Sequence, residues 1–303
     1  MGGFVFKEGI QTSPIKKENI KQTIDNFVQE FIRIFPNSKI MFKEIHTLGS
    51  VYKKDISGDI DLAIDEYDLF NIDWGISQNI IDSLFNKFKS RARTATDHQL
   101  KKRAFIVAIG NYINETSKLI ITNDKQSGSG ALFCEFPQYG ENNKYVQIDM
   151  NFGNIDWLKF AYYSDNYIGN IKGLHRTQLM LHMFTYKGYG FSHNYGVKKT
   201  DTNEIVAETP NEAIQLLNKL YNFNLTEEIL QNYHKLQEYL TKYLSEMDLY
   251  GIYDIYLKTL DSTRCDIPED LQIYWINNQN RLGLKGKFLP ENSNLYKYAI
   301  ENS

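Results

Sequence analysis

The chain has 303 residues, with 34 Lys and Arg against 37 Asp and Glu for a formal charge of −3; 42% of it is hydrophobic and 14% aromatic. That composition excludes a disordered chain and gives no global pull toward nucleic acid or an anionic bilayer, so any polyanion site must be a local patch. Two cysteines, Cys134 and Cys265, make neither a disulfide framework nor a zinc site and suit a reducing compartment.

The length allows one large domain or two modest ones. At the start, MGGFVFKEGI lacks a charged-then-apolar signal pattern, and Phe6 stands where an acylation motif wants Ser or Thr. No apolar run is long enough to span a bilayer. A cytoplasmic protein with no membrane partner is the expectation. Residues 18–35 place Ile20, Ile24, Phe27, Phe31 and Ile34 at helical spacing, with Pro36 as the stop. KIMFKEIHTLGS reads as a strand running into a turn, and DIDLAID alternates with period two. Ile60, Leu62 and Ile64 then face one way, and Asp59, Asp61, Ala63 and Asp65 the other.

QNIIDSLFNKFKSRA is an amphipathic helix with a basic end, whereas AFIVAIGNYI fits helix or strand equally. KLIITND suits a strand, the SGSG of 127–130 is a turn feeding the strand ALFCEF, and KYVQIDMNFG is a further strand. In that last strand Tyr145, Gln147, Asp149 and Asn151 share one face, and Val146, Ile148 and Met150 the other. LHRTQLMLHMFTYKG reads as a helix, NYGVKKTDTNEIV as a small hairpin, and TPNEAIQLLNKLYNF as a helix with Pro near its start. From about Thr226 the pattern is almost wholly helical, with Pro268 opening a late helix and Ile229, Tyr233, Leu236 and Leu240 on one face. The shift near residue 225 is the best boundary.

The chemistry concentrates in LGSVYKKDISGDIDLAID, residues 48–65. Alternate strand residues share a face and lie roughly 7 Å apart, so Asp59 and Asp61 project side by side. Two carboxylates that close repel unless a cation sits between them, and magnesium is the natural one, taking oxygen ligands while sharing substrate phosphates. Gly49 lets backbone approach an anion, Ser50 and nearby amides donate to a phosphate, and Lys53 and Lys54 add positive charge. An Asp-x-Asp pair alone commonly marks only the wet face of an edge strand. It is the Gly-Ser turn upstream that favours triphosphate chemistry.

These residues resemble the signature of the DNA polymerase β-like nucleotidyltransferase superfamily: Gly-Ser, a short gap, then Asp-x-Asp on a strand. SGDID is closest to the family X DNA polymerases, with a gap one residue shorter. The resemblance implies a third carboxylate from a later strand, for which Asp149 in KYVQIDMNFG is the candidate. FAYYSDN, KGLHRTQLMLHMFTYKG, HNYGVKK and TPNEAIQLLNKLYNF follow in the order of that family's later segments, although no Glu separates Asn194 from Tyr195. The likeness spans roughly residues 45–223. It implies an α+β fold: a nucleotidyltransferase palm, a mixed sheet flanked by helices, in 1–165. A thumb-like subdomain in 166–225 and a helical region in 226–303 complete it.

The same resemblance implies that Asp59, Asp61 and Asp149 are catalytic and bind two magnesium ions, with manganese as a substitute. Gly49 and Ser50, helped by Lys53 or Lys54, hold the triphosphate. Lys172 and Arg176, where the thumb-side helix begins, face nucleotide or acceptor; solvated helix cations explain them equally. Tyr162 and Tyr163 stack on a base or sugar, or fill a core. The implied partners are a nucleoside triphosphate and a DNA or RNA acceptor. Lys87, Lys89, Arg91, Arg93, Lys101, Lys102 and Arg103 make either a strand-backbone groove or the charged ends of surface helices. Nucleotidylation of a small molecule or protein, and an inactive binding module, remain the alternatives.

Overall fold

A computed structural model describes residues 12–123, 130–166, 171–263 and 265–283, so the SGSG turn, Gly130 apart, lies outside the described residues. The protein is α+β: a mixed five-stranded sheet with helices, and a helical C-terminal region. It divides into two compact units, one of residues up to Tyr162 with His193–Tyr195, the other of Tyr163–Ser192 and Gly196 onward. Among the described residues no helix is long and apolar enough to cross a membrane.

The first unit opens with β1 (Ile15–Lys16) and α1 (Lys17–Ile34). Ile20, Ile24, Phe27 and Phe31, at helical spacing, are the buried stripe of α1. Pro36 ends the helix but not the coiling, because residues 36–42 form a 3-10 turn that takes in Lys39–Phe42, the start of the expected strand. Extended backbone is confined to β2 (His46–Thr47). Next come β3 (Ile56–Ser57), β4 (Ile60–Asp65), α2 (Glu66–Asn71), α3 (Gln78–Lys89) and α4 (Asp97–Thr116). The ambiguous AFIVAIGNYI lies within α4. Thr96 and Gln99 cap it reciprocally, each side chain taking the other's backbone N–H at 3.2 Å. β5 (Ile121–Thr122), β6 (Ala131–Pro137), β7 (Tyr145–Gly153) and α5 (Ile155–Ala161) complete the unit.

The sheet order is β2-β4-β7-β6-β5, with β4 and β7 parallel and the remaining pairs antiparallel. One face is apolar: Ile60, Leu62 and Ile64 of β4, Leu132, Cys134 and Phe136 of β6, and Ile148, Met150 and Phe152 of β7 share a core with α1 and α4. Phe27 meets Phe136 edge-on at 5.5 Å and Phe35 meets Trp74 at 5.2 Å. Each such ring contributes roughly 2–3 kcal/mol of burial. Because the strand period is two, the opposite face takes the alternate residues, and these include the polar Asp61, Glu135, Gln147, Asp149 and Asn151.

The second unit holds α6 (Gly173–Tyr186) and a three-stranded antiparallel sheet of β8 (Tyr189–Ser192), β9 (Gly196–Lys199) and β10 (Ile205–Ala207). The expected hairpin is thus two strands of three. α7 (Pro210–Tyr221), α8 (Glu227–Gln231), α9 (Tyr233–Tyr243), α10 (Glu246–Thr263) and α11 (Gln272–Leu282) follow. Thr209 and Glu212 form a capping box at the start of α7, with Pro210 in its first turn.

Candidate active site

The register between β4 and β7 places Asp61 directly opposite Asp149, and Ala63 opposite Asn151. All four therefore share the polar face, next to Gln147 and the preceding Asp59. Asp59 and Asp61 are half-buried and Asp149 is buried, 7% exposed. The Asn151 amide donates to Asp61 Oδ1 at 3.4 Å and to the Asp149 carbonyl at 3.3 Å. Tyr162 donates its hydroxyl to Asn151 Oδ1 at 3.0 Å. The Gln147 amide donates to both Asp149 oxygens, at 2.9 and 3.0 Å.

The Gly-Ser turn lies against the same carboxylate. Leu48 N–H donates to the Asp61 carbonyl at 2.9 Å, and Gly49 follows with φ of 61°. A methyl group at Gly49 would sit 3.3 Å from Asp61 Oδ2, so side-chain-free backbone at this point lets the turn close on the acid. Ser50 is half-buried in this turn, with Lys53 and Lys54 exposed further along it.

Electrostatics follow from this crowding. Burial, and then the Asp59 charge, pushes Asp61 up to about 7. Burial, then the charges of Asp61 and Asp59, holds Asp149 well above the usual carboxylate range. Burial also raises Asp59. Among the described residues no Lys or Arg forms an ion pair with any of the three. The donor set is all oxygen, of one sign and on one face, which fits a hard divalent cation. Among the described residues no three acidic, His or Cys side chains converge closely enough to make a metal site as they stand, and Asp149 is engaged by Gln147. Asp59, Asp61 and Asp149 are the residues that would hold such an ion.

The remaining candidates lie elsewhere. Lys172 is exposed at the start of α6, 3.3 Å from Asp266. Arg176 is fully buried in the second unit, its Nε donating to the Leu230 carbonyl at 2.5 Å. The view of Arg176 as a solvated helix cation is therefore corrected: a fixed guanidinium ties α6 to α8. Lys102 also leaves the basic stretch. It is fully buried, donates to the Phe152 carbonyl at 2.5 Å, pairs with Glu66 and lies 4.3 Å from the Tyr195 ring centroid. Lys87, Arg91, Arg93 and Lys101 stay exposed, and Lys89 pairs with Asp97 at 2.7 Å. Tyr162 is bonded into the carboxylate face, and Tyr163 is half-buried in the second unit, 5.9 Å from the Arg176 guanidinium.

Two polar contributors went unassigned in the sequence, Asn151 and Gln147, although both stand on the Asp149 face by simple alternation. A third is Glu135, the lone acid in ALFCEFP, opposite Gln147 in the β6–β7 register. Comparison of the sequence with described protein families, and with characterised proteins, found no match.

Proposed function

We propose that this protein is a nucleotidyltransferase of the DNA polymerase β-like kind. In this reading it moves a nucleotide from an NTP or dNTP to a hydroxyl, with the 3′ end of DNA or RNA as acceptor. One observation carries the reading: Asp61 and Asp149 stand side by side on parallel strands, with the left-handed Gly49 turn closed against Asp61. The first unit then corresponds to the palm. Residues 166–225 and 226–303 correspond to the thumb-like and accessory helical parts.

In this reading Gly49, Ser50 and the turn amides grip the triphosphate, and Lys53 or Lys54 offsets its charge. Asn151 fixes Asp61, and Tyr162 fixes Asn151. Magnesium bound by Asp59, Asp61 and Asp149 would neutralise the triphosphate and lower the pKa of the attacking hydroxyl. Positioning and charge stabilisation carry the rate, since little covalent work remains for the protein.

A second acceptor class, a hydroxyl of a small molecule or protein, is favoured by one feature. Besides Asp61 on β4, the positions bordering Asp149 on this face are Phe133, Gln147 and Asn151, followed by Glu135, and none is a cation that would meet a polyanion. Labelled triphosphates with magnesium or manganese, offered with oligoadenylate, DNA primer–template or glycerol, separate the classes. Transfer that Asp59→Ala and Asp61→Ala abolish in a folded chain supports the proposal. Undiminished transfer by either variant rejects it.

A further inference from the structure

Resting on that reading, we propose that Glu135 is the catalytic residue that receives the proton of the attacking hydroxyl. Its place in the sheet carries the argument. Across the polar face, from β2 outward, come the Gly49 turn, Asp61 on β4, Asp149 on β7 and Glu135 on β6. If the turn grips the triphosphate, the acceptor enters from the opposite side, where Glu135 stands. Glu135 pairs with Gln147, two residues from Asp149, so it is one diagonal step from that acid, roughly 7–8 Å between neighbouring strands. A glutamate side chain spans most of that distance.

The neighbouring acids are already engaged. Both oxygens of Asp149 accept from Gln147, and Asp61 Oδ1 accepts from Asn151. Glu135 differs from both. It is 2% exposed, and its buried Oε1 has no hydrogen-bond partner among the described residues. An unsatisfied buried carboxylate oxygen is destabilising, so a structural role alone would favour Leu or Gln here. The groups sharing its face are Ile121 on β5, Phe133 and Pro137 on β6, and Tyr145, Gln147 and Asp149 on β7; the ionisable ones, Asp149 and Tyr145, lie diagonally from it. Burial pushes its carboxyl up to about 7, the range in which a base both is ionised and holds a proton.

The step balances without a further reactant. The acceptor oxygen forms a bond to the α-phosphorus, and the bond from that phosphorus to the bridging oxygen breaks. Pyrophosphate leaves with the electron pair, and the acceptor's proton passes to the Glu135 carboxylate.

The test uses the full chain, wild type and Glu135→Gln and Glu135→Asp, with labelled ATP and magnesium. Oligoadenylate, DNA primer–template and glycerol serve as acceptors between pH 5.5 and 9. The wild-type rate should rise with pH through a midpoint near 7. Glu135→Gln should lower kcat about 10²–10⁴-fold and lose that limb. KM for ATP and the protection by magnesium-ATP against thermal unfolding should stay within about twofold. Glu135→Asp should restore part of the rate and the limb. A Glu135→Gln chain that keeps both rate and limb overturns the Glu135 assignment alone. Absence of transfer by wild type on all three acceptors overturns it together with the nucleotidyltransferase reading.

Discussion

Asp61 and Asp149 occupy directly opposed positions on adjacent parallel strands, where strands lie about 4.8 Å apart. Burial raises both acids; the Asp59 charge adds to it at Asp61, and the Asp61 and Asp59 charges add to it at Asp149. The folded state therefore binds protons that the unfolded chain has released. The stability from Asp61 is complete below the ordinary Asp value of about 3.9 and is lost as pH rises toward about 7. Asp61→Asn should accordingly raise the melting temperature at pH 7.5 by a few °C, equivalent to ~2 kcal/mol, and change it little at pH 4. Added magnesium should stabilise wild type more at pH 7.5 than at pH 5, and Asp61→Asn hardly at all. Equal magnesium effects on the two proteins would remove the cation from the argument.

Gly49 and Gly75 share a left-handed backbone, with φ of 61° and 65°, but differ in surroundings. A methyl at Gly49 meets Asp61 Oδ2 at 3.3 Å, while at Gly75 it meets open space. Alanine at either position should cost about 1–2 kcal/mol of backbone strain. Only Gly49→Ala should also weaken magnesium-ATP protection against unfolding, by tenfold or more in affinity. Matching losses in both variants would detach the turn from the nucleotide.

The two strands bearing the acids were legible because each alternates apolar and polar residues without interruption, so one face followed from the other. α4 was not, since Ala104–Ile109 is buried on all sides and shows no helical stripe. Its Thr96–Gln99 capping box was nevertheless in the sequence as T-x-x-Q. Residues 39–42, the start of the expected strand, coil because Pro36 suits the first turn of a new helix as well as the end of an old one. Lys102 could not be separated from its exposed neighbours. Nothing local shows that Glu66 and Tyr195, far along the chain, form its surroundings. The long-range register that pairs Glu135 with Gln147 was equally beyond local pattern.

Tyr162 steadies Asp61 through Asn151, with bonds of 3.0 and 3.4 Å. The Asn151 contact favours the ionised form of Asp61, so its removal should move that acid's titration upward. Tyr162→Phe should cost ~1 kcal/mol of stability by leaving Asn151 Oδ1 without its donor. Asn151→Ala should shift the Asp61 carboxyl midpoint to higher pH in an NMR titration. An unmoved midpoint would show that the amide does not hold the carboxylate.

Lys102 and its exposed neighbours should respond oppositely to two measurements. Its ammonium is fully buried between the Phe152 carbonyl, Glu66 and the Tyr195 ring, and burial lowers its pKa. Lys102→Met strips those partners, although the Glu66 side chain keeps 22% exposure and regains some water. The expected loss is therefore about 1–3 kcal/mol, below the full cost of orphaning a buried charge. Lys87→Ala, Arg91→Ala and Arg93→Ala, on exposed side chains, should leave thermal unfolding within about 0.5 kcal/mol. If the acceptor is nucleic acid tracked by this stretch, each should reduce the slope of log affinity against log salt by about one for an oligonucleotide. Lys102→Met should leave that slope unchanged, because a buried ammonium releases no counterion. A slope indifferent to all three exposed changes would turn the proposed acceptor from a polyanion toward a hydroxyl of a small molecule or protein.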